Sequence, residues 1–227
     1  MAKDKNFNKD YWEKNIEGFS GFYDKQSEEN IPAPAGVSFF YKKVIFPMEK
    51  KYMYQRHAAV SDYIENNVKE NMKTADIGCG SGVYVKKMIQ KKAGVFALDY
   101  AESAVELTRR NLTPEELANC KLGLLDISKE HIPDVDLAIS IGVLPYIEDL
   151  KTYLNNILPH TKYVLFNYLD KNHPLNALRR SIIKFLDVRK YSYHETKSVM
   201  EELVNHNFEL IKKTPLATGF IIEAKRK

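Results

Sequence analysis

The run Thr74-Ala75-Asp76-Ile77-Gly78-Cys79-Gly80-Ser81-Gly82 constrains this chain more than any other segment. A β-prone stretch stops at three glycines on alternate positions, and a helical pattern follows from Gly82 to Lys92. Glycines allow a sharp turn and leave room for a ligand against bare main chain. A second apolar run, Val95-Phe96-Ala97-Leu98, ends at Asp99, 21 positions after Gly78. An acid at the tip of a second strand suits the two hydroxyls of a ribose. Loop and acid together point to a cofactor that contains a nucleoside.

The surrounding pattern places both features in an α/β sheet. Strand patterns at Thr74–Ile77, Val95–Asp99, Cys120–Leu125, Asp136–Ile141 and Tyr163–Tyr168 alternate with helical ones. Helices are expected from about Lys50 to Val68, from near Ala101, over Glu148–Leu158 and over Glu195–His206. Ser103 and Glu106 have the spacing of a capping box at the start of the second of these. Short apolar runs alternating with helices imply a parallel sheet covered on both faces. The last two runs, Phe208–Lys213 and Gly219–Ala224, are too close together for a crossover helix and should pair antiparallel. Thr214, Pro215 and Thr218 are expected to separate them. The fold class is therefore a Rossmann-like, doubly wound seven-stranded sheet, mostly parallel, closed by an antiparallel C-terminal hairpin.

Two segments fall outside that alternation. Residues 1–55 are rich in Tyr and Phe and carry Pro32, Pro34, Gly36 and Pro47. They read as an arm or lid of broken helices and turns on a core domain spanning 56–227. Residues 170–193 are long for a strand-to-helix connection and contain an amphipathic stretch near Leu175–Phe185, so they read as an insertion on the acceptor side. The net charge of +4 is too weak and too dispersed to argue for nucleic acid. The two cysteines, Cys79 and Cys120, show neither a disulfide framework nor metal-ligand spacing, which makes a reducing cytoplasm the expected location and no metal the expected content. No segment reads as a membrane span.

The glycine spacing also discriminates among nucleotides. A dinucleotide fingerprint needs Gly-x-Gly-x-x-Gly, whereas this chain has Gly78-x-Gly80-x-Gly82. A phosphate-binding P-loop needs Gly-Lys-Ser/Thr, which does not occur here. Asp76 through Gly82 resembles the Asp-x-Gly-x-Gly-x-Gly loop of the class I S-adenosylmethionine-dependent methyltransferases. That resemblance implies that Asp76, Gly78, Cys79 and Gly80 frame the cofactor, with Asp76 ordering the loop. It implies that Asp99 holds the ribose and that Tyr100 lies along the adenine. Asp126 would accept from the adenine amino group, the backbone of Ile127 would donate to the ring, and Ile141 would lie at the fourth-strand tip beside the methyl group. Arg56, 20 residues before Asp76, stands where the ubiquinone-pathway O-methyltransferases place an arginine against the cofactor carboxylate. The implied cofactor is S-adenosylmethionine, with S-adenosylhomocysteine as product.

The acceptor side is harder to read. Arg189-Lys190-Tyr191-Ser192-Tyr193-His194 and Ala217-Thr218-Gly219-Phe220 resemble segments of the magnesium-protoporphyrin O-methyltransferases. His194 is the first candidate for a base or acceptor contact and Tyr146 another, and His173, Arg179, Arg180, Arg189 and Tyr191, in or after the insertion, are further candidates. Against these stand plain structural roles, such as a helix cap for His194 and a turn cap for Asp126. The motifs of DNA-adenine and DNA-cytosine methylation do not occur. The expected partner is a small-molecule acceptor, methylated on O or N, with sugar or phosphoryl-bearing metabolites among the candidates. Two other readings remain at this stage: a non-catalytic subunit that binds the cofactor, and an NAD-dependent oxidoreductase.

Overall fold

The structure, a computed structural model, describes residues 7–20, 46–183 and 191–227. Helix α1 (Phe7–Ser20) precedes α2 (Phe46–Asn67). The α/β core then runs β1 (Lys73–Ile77), α3 (Val83–Gln90), β2 (Gly94–Asp99), α4 (Glu102–Asn111), α5 (Pro114–Leu117), β3 (Cys120–Leu124), β4 (Val135–Ser140), α6 (Leu150–Asn155) and β5 (Thr161–Leu169). It continues with α7 (Pro174–Ile183), α8 (Thr196–Asn205), β6 (Phe208–Leu216) and β7 (Gly219–Arg226).

The seven strands lie in the order β3-β2-β1-β4-β5-β7-β6. β1 to β5 are parallel, and β7 runs antiparallel to both β5 and β6. The order reverses between β1 and β4, and ligands of doubly wound sheets bind outside the strand ends at such a switch point. Gly78 leaves β1 there, directly beside the end of β4, because Ile77 pairs with Ser140.

Alternation along the strands builds a core on each face. Leu137 and Ile139 of β4 pack with Val60, Ile64, Val85 and Met88 of α2 and α3. Ala138, between them, faces Tyr153, Leu154, Val199 and Phe208 with α6 and α8. Burial on both faces explains why the parallel strands read as short continuous apolar runs.

The structure corrects several expectations. The Ser103–Glu106 capping box does not form: the N-cap of α4 is Ala101, which makes no side-chain cap. The capping box of this region lies instead at Thr113 and Glu116, at the start of α5, a helix not anticipated. Thr214 and Pro215 do not end β6; Pro215 pairs with Phe220, and β6 is an edge strand, where a missing N–H costs no ladder bond. The helix expected from Lys50 starts at Phe46, with Pro47 in the first turn where proline is tolerated, and runs unbroken across positions 55 and 56. Pro32, Pro34, Gly36 and Arg189 lie outside the described residues. Among the described residues, no helix is long and apolar enough to cross a membrane.

Candidate cofactor and acceptor site

The loop after β1 is held from below by β2. Gly78 and Cys79 donate their amides to the Leu98 carbonyl at 2.7 and 3.1 Å. Gly78 adopts φ 75°, and a β-carbon there would lie 2.2 Å from Val143 Cγ2 on the β4 side. Only glycine fits so close a crossing at a left-handed backbone. Behind the loop, Thr108 of α4 donates to the Gly80 carbonyl at 2.9 Å, and Asn111 donates to that of Ser81 at 2.9 Å. Cys79 is buried, its Sγ lies 3.5 Å from the Thr108 hydroxyl, and burial pushes its thiol well up, so its side chain packs and is no nucleophile.

Two carboxylates flank this loop. Asp99 accepts the Gly80 amide on Oδ2 at 3.1 Å and the Ala101 amide on Oδ1 at 3.0 Å. It is 6% exposed, and burial raises its carboxyl to about 6 against the pull of those amides. Asp76 is 1% exposed, and its Oδ2 has no hydrogen-bond partner. Burial, and then the charge of Asp99, raise its carboxyl to about 7. An orphaned buried carboxylate oxygen is rare and costly, and Oδ2 bonds no amide of the glycine loop that follows, so the expected ordering of the loop by Asp76 is not made through that oxygen.

Farther along the strand ends, Tyr100 is partly buried; burial and then the charge of Asp99, the Tyr146 phenol and the charge of Asp126 push its phenol up. Asp126 itself caps the next turn: Oδ1 accepts from the Ser128 amide at 3.1 Å and hydroxyl at 2.6 Å, and Oδ2 pairs with Lys129 at 2.5 Å. The side chains of Ile127 and Ile141 are buried in the two cores, so only their backbones could face a ligand.

At the switch point, Gly142 adopts φ 84° and donates its amide to Asn167 Oδ1 at 2.6 Å. Asn167 is fully buried and donates in turn to the Tyr52 hydroxyl at 3.3 Å. Arg56 of α2 lies over this corner: its guanidinium is 5.7 Å from the Tyr52 ring centre and 3.2 Å from where a β-carbon on Gly142 would stand. Burial pushes the Tyr52 phenol up, while the charges of Arg56 and Arg179 pull it down.

An aromatic stack faces this corner. Tyr146, in a 3-10 turn over Leu144–Tyr146, stacks on Tyr191 at 5.4 Å and meets the edge of Trp12 at 5.5 Å. The guanidinium of Arg179 lies 5.2 Å over Tyr191, and that of Arg180 lies 5.2 Å over Tyr193. His194 is 7% exposed, with Nε2 hydrogen-bonded to the Ile147 carbonyl at 3.0 Å, and burial lowers its pKa. A neutral ring that donates there ties the inserted segment to the Tyr146 turn. His173 lies apart from this stack, using Nδ1 to accept the Leu175 amide at the start of α7 at 3.3 Å.

The structure thus brings Arg56, Asp76, Gly78, Gly80, Asp99, Tyr100 and Tyr146 to one end of the sheet. Sequence reasoning missed Tyr52, Asn167 and two residues of α1, Trp12 and Glu13. Asn167 carried a signal, an amide in the middle of an otherwise apolar strand. Glu13 carried none, because its partners lie 89 and 90 positions away.

Comparison with known proteins gives these features a context. Residues 68–212, more than half of the chain, match a methyltransferase-domain family. Over 56 residues the chain is 32% identical to the probable cobalt-precorrin-6B C(15)-methyltransferase (decarboxylating) of Methanocaldococcus jannaschii, covering 25% of this chain and 31% of that protein. Over 101 residues it is 27% identical to the mitochondrial ubiquinone biosynthesis O-methyltransferase of Schizosaccharomyces pombe, covering 43% of this chain and 37% of that protein. Each match spans about a third of the relative's own length. In fold, the chain is similar to the magnesium protoporphyrin IX methyltransferase from Synechocystis PCC 6803 with bound SAH, at TM-score 0.73 and 19% identity over 99% of this chain and 100% of that one. The family match runs from the end of α2 into β6, so it takes in the glycine loop, Asp99 and every parallel strand; the chain belongs to the class I S-adenosylmethionine-dependent methyltransferases.

Proposed function

We propose that this protein moves a methyl group from S-adenosylmethionine to an O or N atom of a small, anionic acceptor. The observation that carries this reading is the junction of Asp99 with Gly80, which sets a buried carboxylate beside an open glycine backbone at the switch point of the sheet. The residues fit the cofactor. Gly78 and Gly80 offer bare main chain, each Asp99 oxygen has accepted one amide and retains acceptor capacity, and the orphaned Asp76 oxygen suits a cationic or hydrogen-bonding group above it.

When bound, the cofactor supplies an electrophilic methyl on a sulfonium. In-line displacement then requires alignment and exclusion of water more than covalent help from the protein. In this reading Asp99 accepts from the ribose hydroxyls, Tyr100 lies along the adenine, and Asp126 with the Ile127 backbone meets the adenine edge. Arg56 grips the amino-acid carboxylate as a fork. Tyr146, Tyr191 and Trp12 form an apolar wall that keeps water from the methyl group. His194 holds the Tyr146 turn through Ile147, and Tyr146 is the acceptor-side hydroxyl.

The charge of Arg179, over Tyr191 of that wall, supports an anionic acceptor. The similar proteins, named for cobalt-precorrin-6B, ubiquinone biosynthesis and magnesium protoporphyrin IX, support a small molecule. The test is a screen of the purified chain with methyl-labelled S-adenosylmethionine against pools of anionic and neutral metabolites. Label passing to anionic members is expected; transfer confined to neutral members would overturn the acceptor class, and no transfer to any pool would favour a non-catalytic subunit.

A further inference from the structure

Helix α1 touches the site at three places, through Trp12, Glu13 and Ile16. Trp12 meets the edge of Tyr146 at 5.5 Å. Ile16 Cδ1 lies 3.7 Å from where a β-carbon on Gly80 would stand. Between them, Glu13 accepts the Glu102 amide at 2.8 Å and the Ser103 amide at 3.0 Å. These are the first two amides of α4, which have no partner within the helix. The amide just before them, that of Ala101, is accepted by Asp99. Two carboxylates, from α1 and from the tip of β2, therefore divide three successive amides.

This geometry bears on the site because the local sequence offers α4 no cap of its own. Ala101 has no side-chain acceptor, and Ser103 is inside the helix. The carboxylate that satisfies the helix end, and its partial positive charge, is donated by another element. Fixing the first turn of α4 fixes the turn that aims Asp99 at its ligand. It also presses Ile16 toward the glycine loop and Trp12 against Tyr146.

We propose that Glu13 is a positioning residue for the cofactor site: its cap on α4 latches α1 across the glycine loop, so that latching sets how fast the cofactor is released. The inference rests on the cofactor reading above. It predicts that the latch is felt chiefly in the dissociation rate, since release requires α1 to let go.

Trp12 is the only tryptophan of the chain and reports on α1 directly. The experiment follows Trp12 emission in stopped flow with the full chain and S-adenosylhomocysteine. Glu13→Ala is expected to speed dissociation threefold or more, and Glu13→Gln, which keeps one acceptor oxygen, to fall between it and the wild type. Dissociation from Glu13→Ala less than threefold faster would overturn the latch while leaving the cofactor reading intact. No binding of S-adenosylhomocysteine by the wild type would overturn both. If Glu13→Ala fails to fold, amide exchange in the wild type decides: the Glu102 and Ser103 amides should exchange more slowly once S-adenosylhomocysteine is added, and unchanged rates would overturn the latch.

Discussion

The carboxylate of Asp99 reaches back 19 positions to accept the amide of Gly80 at 3.1 Å. This bond ties the tip of β2 to the loop after β1, and in the proposed site the same side chain serves both loop order and the ligand. Asp99→Ala should therefore weaken S-adenosylhomocysteine binding by about 1.5–3 kcal/mol, the worth of hydrogen bonds to a charged group. Calorimetry would show this as a Kd raised by one to two orders of magnitude. An unchanged Kd would remove Asp99 from the site.

Arg56 is expected to hold the amino-acid end of the cofactor and nothing else. Arg56→Ala should cost S-adenosylhomocysteine about 1.5–3 kcal/mol of binding. Methylthioadenosine, which has no carboxylate, should bind the variant and the wild type alike. An equal loss for both ligands would show that Arg56 acts only by packing on Tyr52 and Gly142.

Gly78 offers a test of the crossing between β1 and β4. A β-carbon there meets Val143 Cγ2 at 2.2 Å with the backbone at φ 75°. Overpacking and left-handed strain together predict a loss on the order of 2–4 kcal/mol for Gly78→Ala. Gly94→Ala is the control, since its nearest neighbour would be the Met72 carbonyl at 4.0 Å, and it should melt near the wild type. Similar melting of the two variants would contradict the close crossing.

The buried acids give a pH dependence of unusual sign. Asp76 is raised to about 7 by burial and by Asp99, from an ordinary value of 3.8. Because its folded pKa exceeds its unfolded one, the folded state binds more protons between these values, and its contribution to stability is lost as pH rises from about 4 to about 7. Asp76→Asn removes that dependence. In thermal melts, the variant should gain stability relative to the wild type as the pH is raised from 5 to 8. A variant that loses stability relative to the wild type over that range would contradict the assigned shift.

Much of this arrangement was legible in the sequence because its signals are local. Strands buried on both faces must be short and apolar, and that exposed β1, β2, β4 and β5. The glycine spacing and Asp99 lie at fixed offsets along one β-α-β unit, so their meeting followed from the order of elements. Where the sequence misled, a local pattern competed with a distant partner. Ser103 and Glu106 have capping spacing, but α4 starts before them and takes its cap from Glu13. Thr214 and Pro215 look like a break, yet an edge strand can carry them. The aromatic cluster was least legible, because Trp12, Tyr146 and Tyr191 come from three separate regions and only the fold brings them together.

The glycine loop and Asp99 should hold S-adenosylmethionine and not a dinucleotide. Calorimetry of the full chain with S-adenosylhomocysteine and, separately, with NAD tests this most directly. Saturable binding of S-adenosylhomocysteine and none of NAD is the predicted result. Binding of NAD without S-adenosylhomocysteine would make this a dinucleotide site instead.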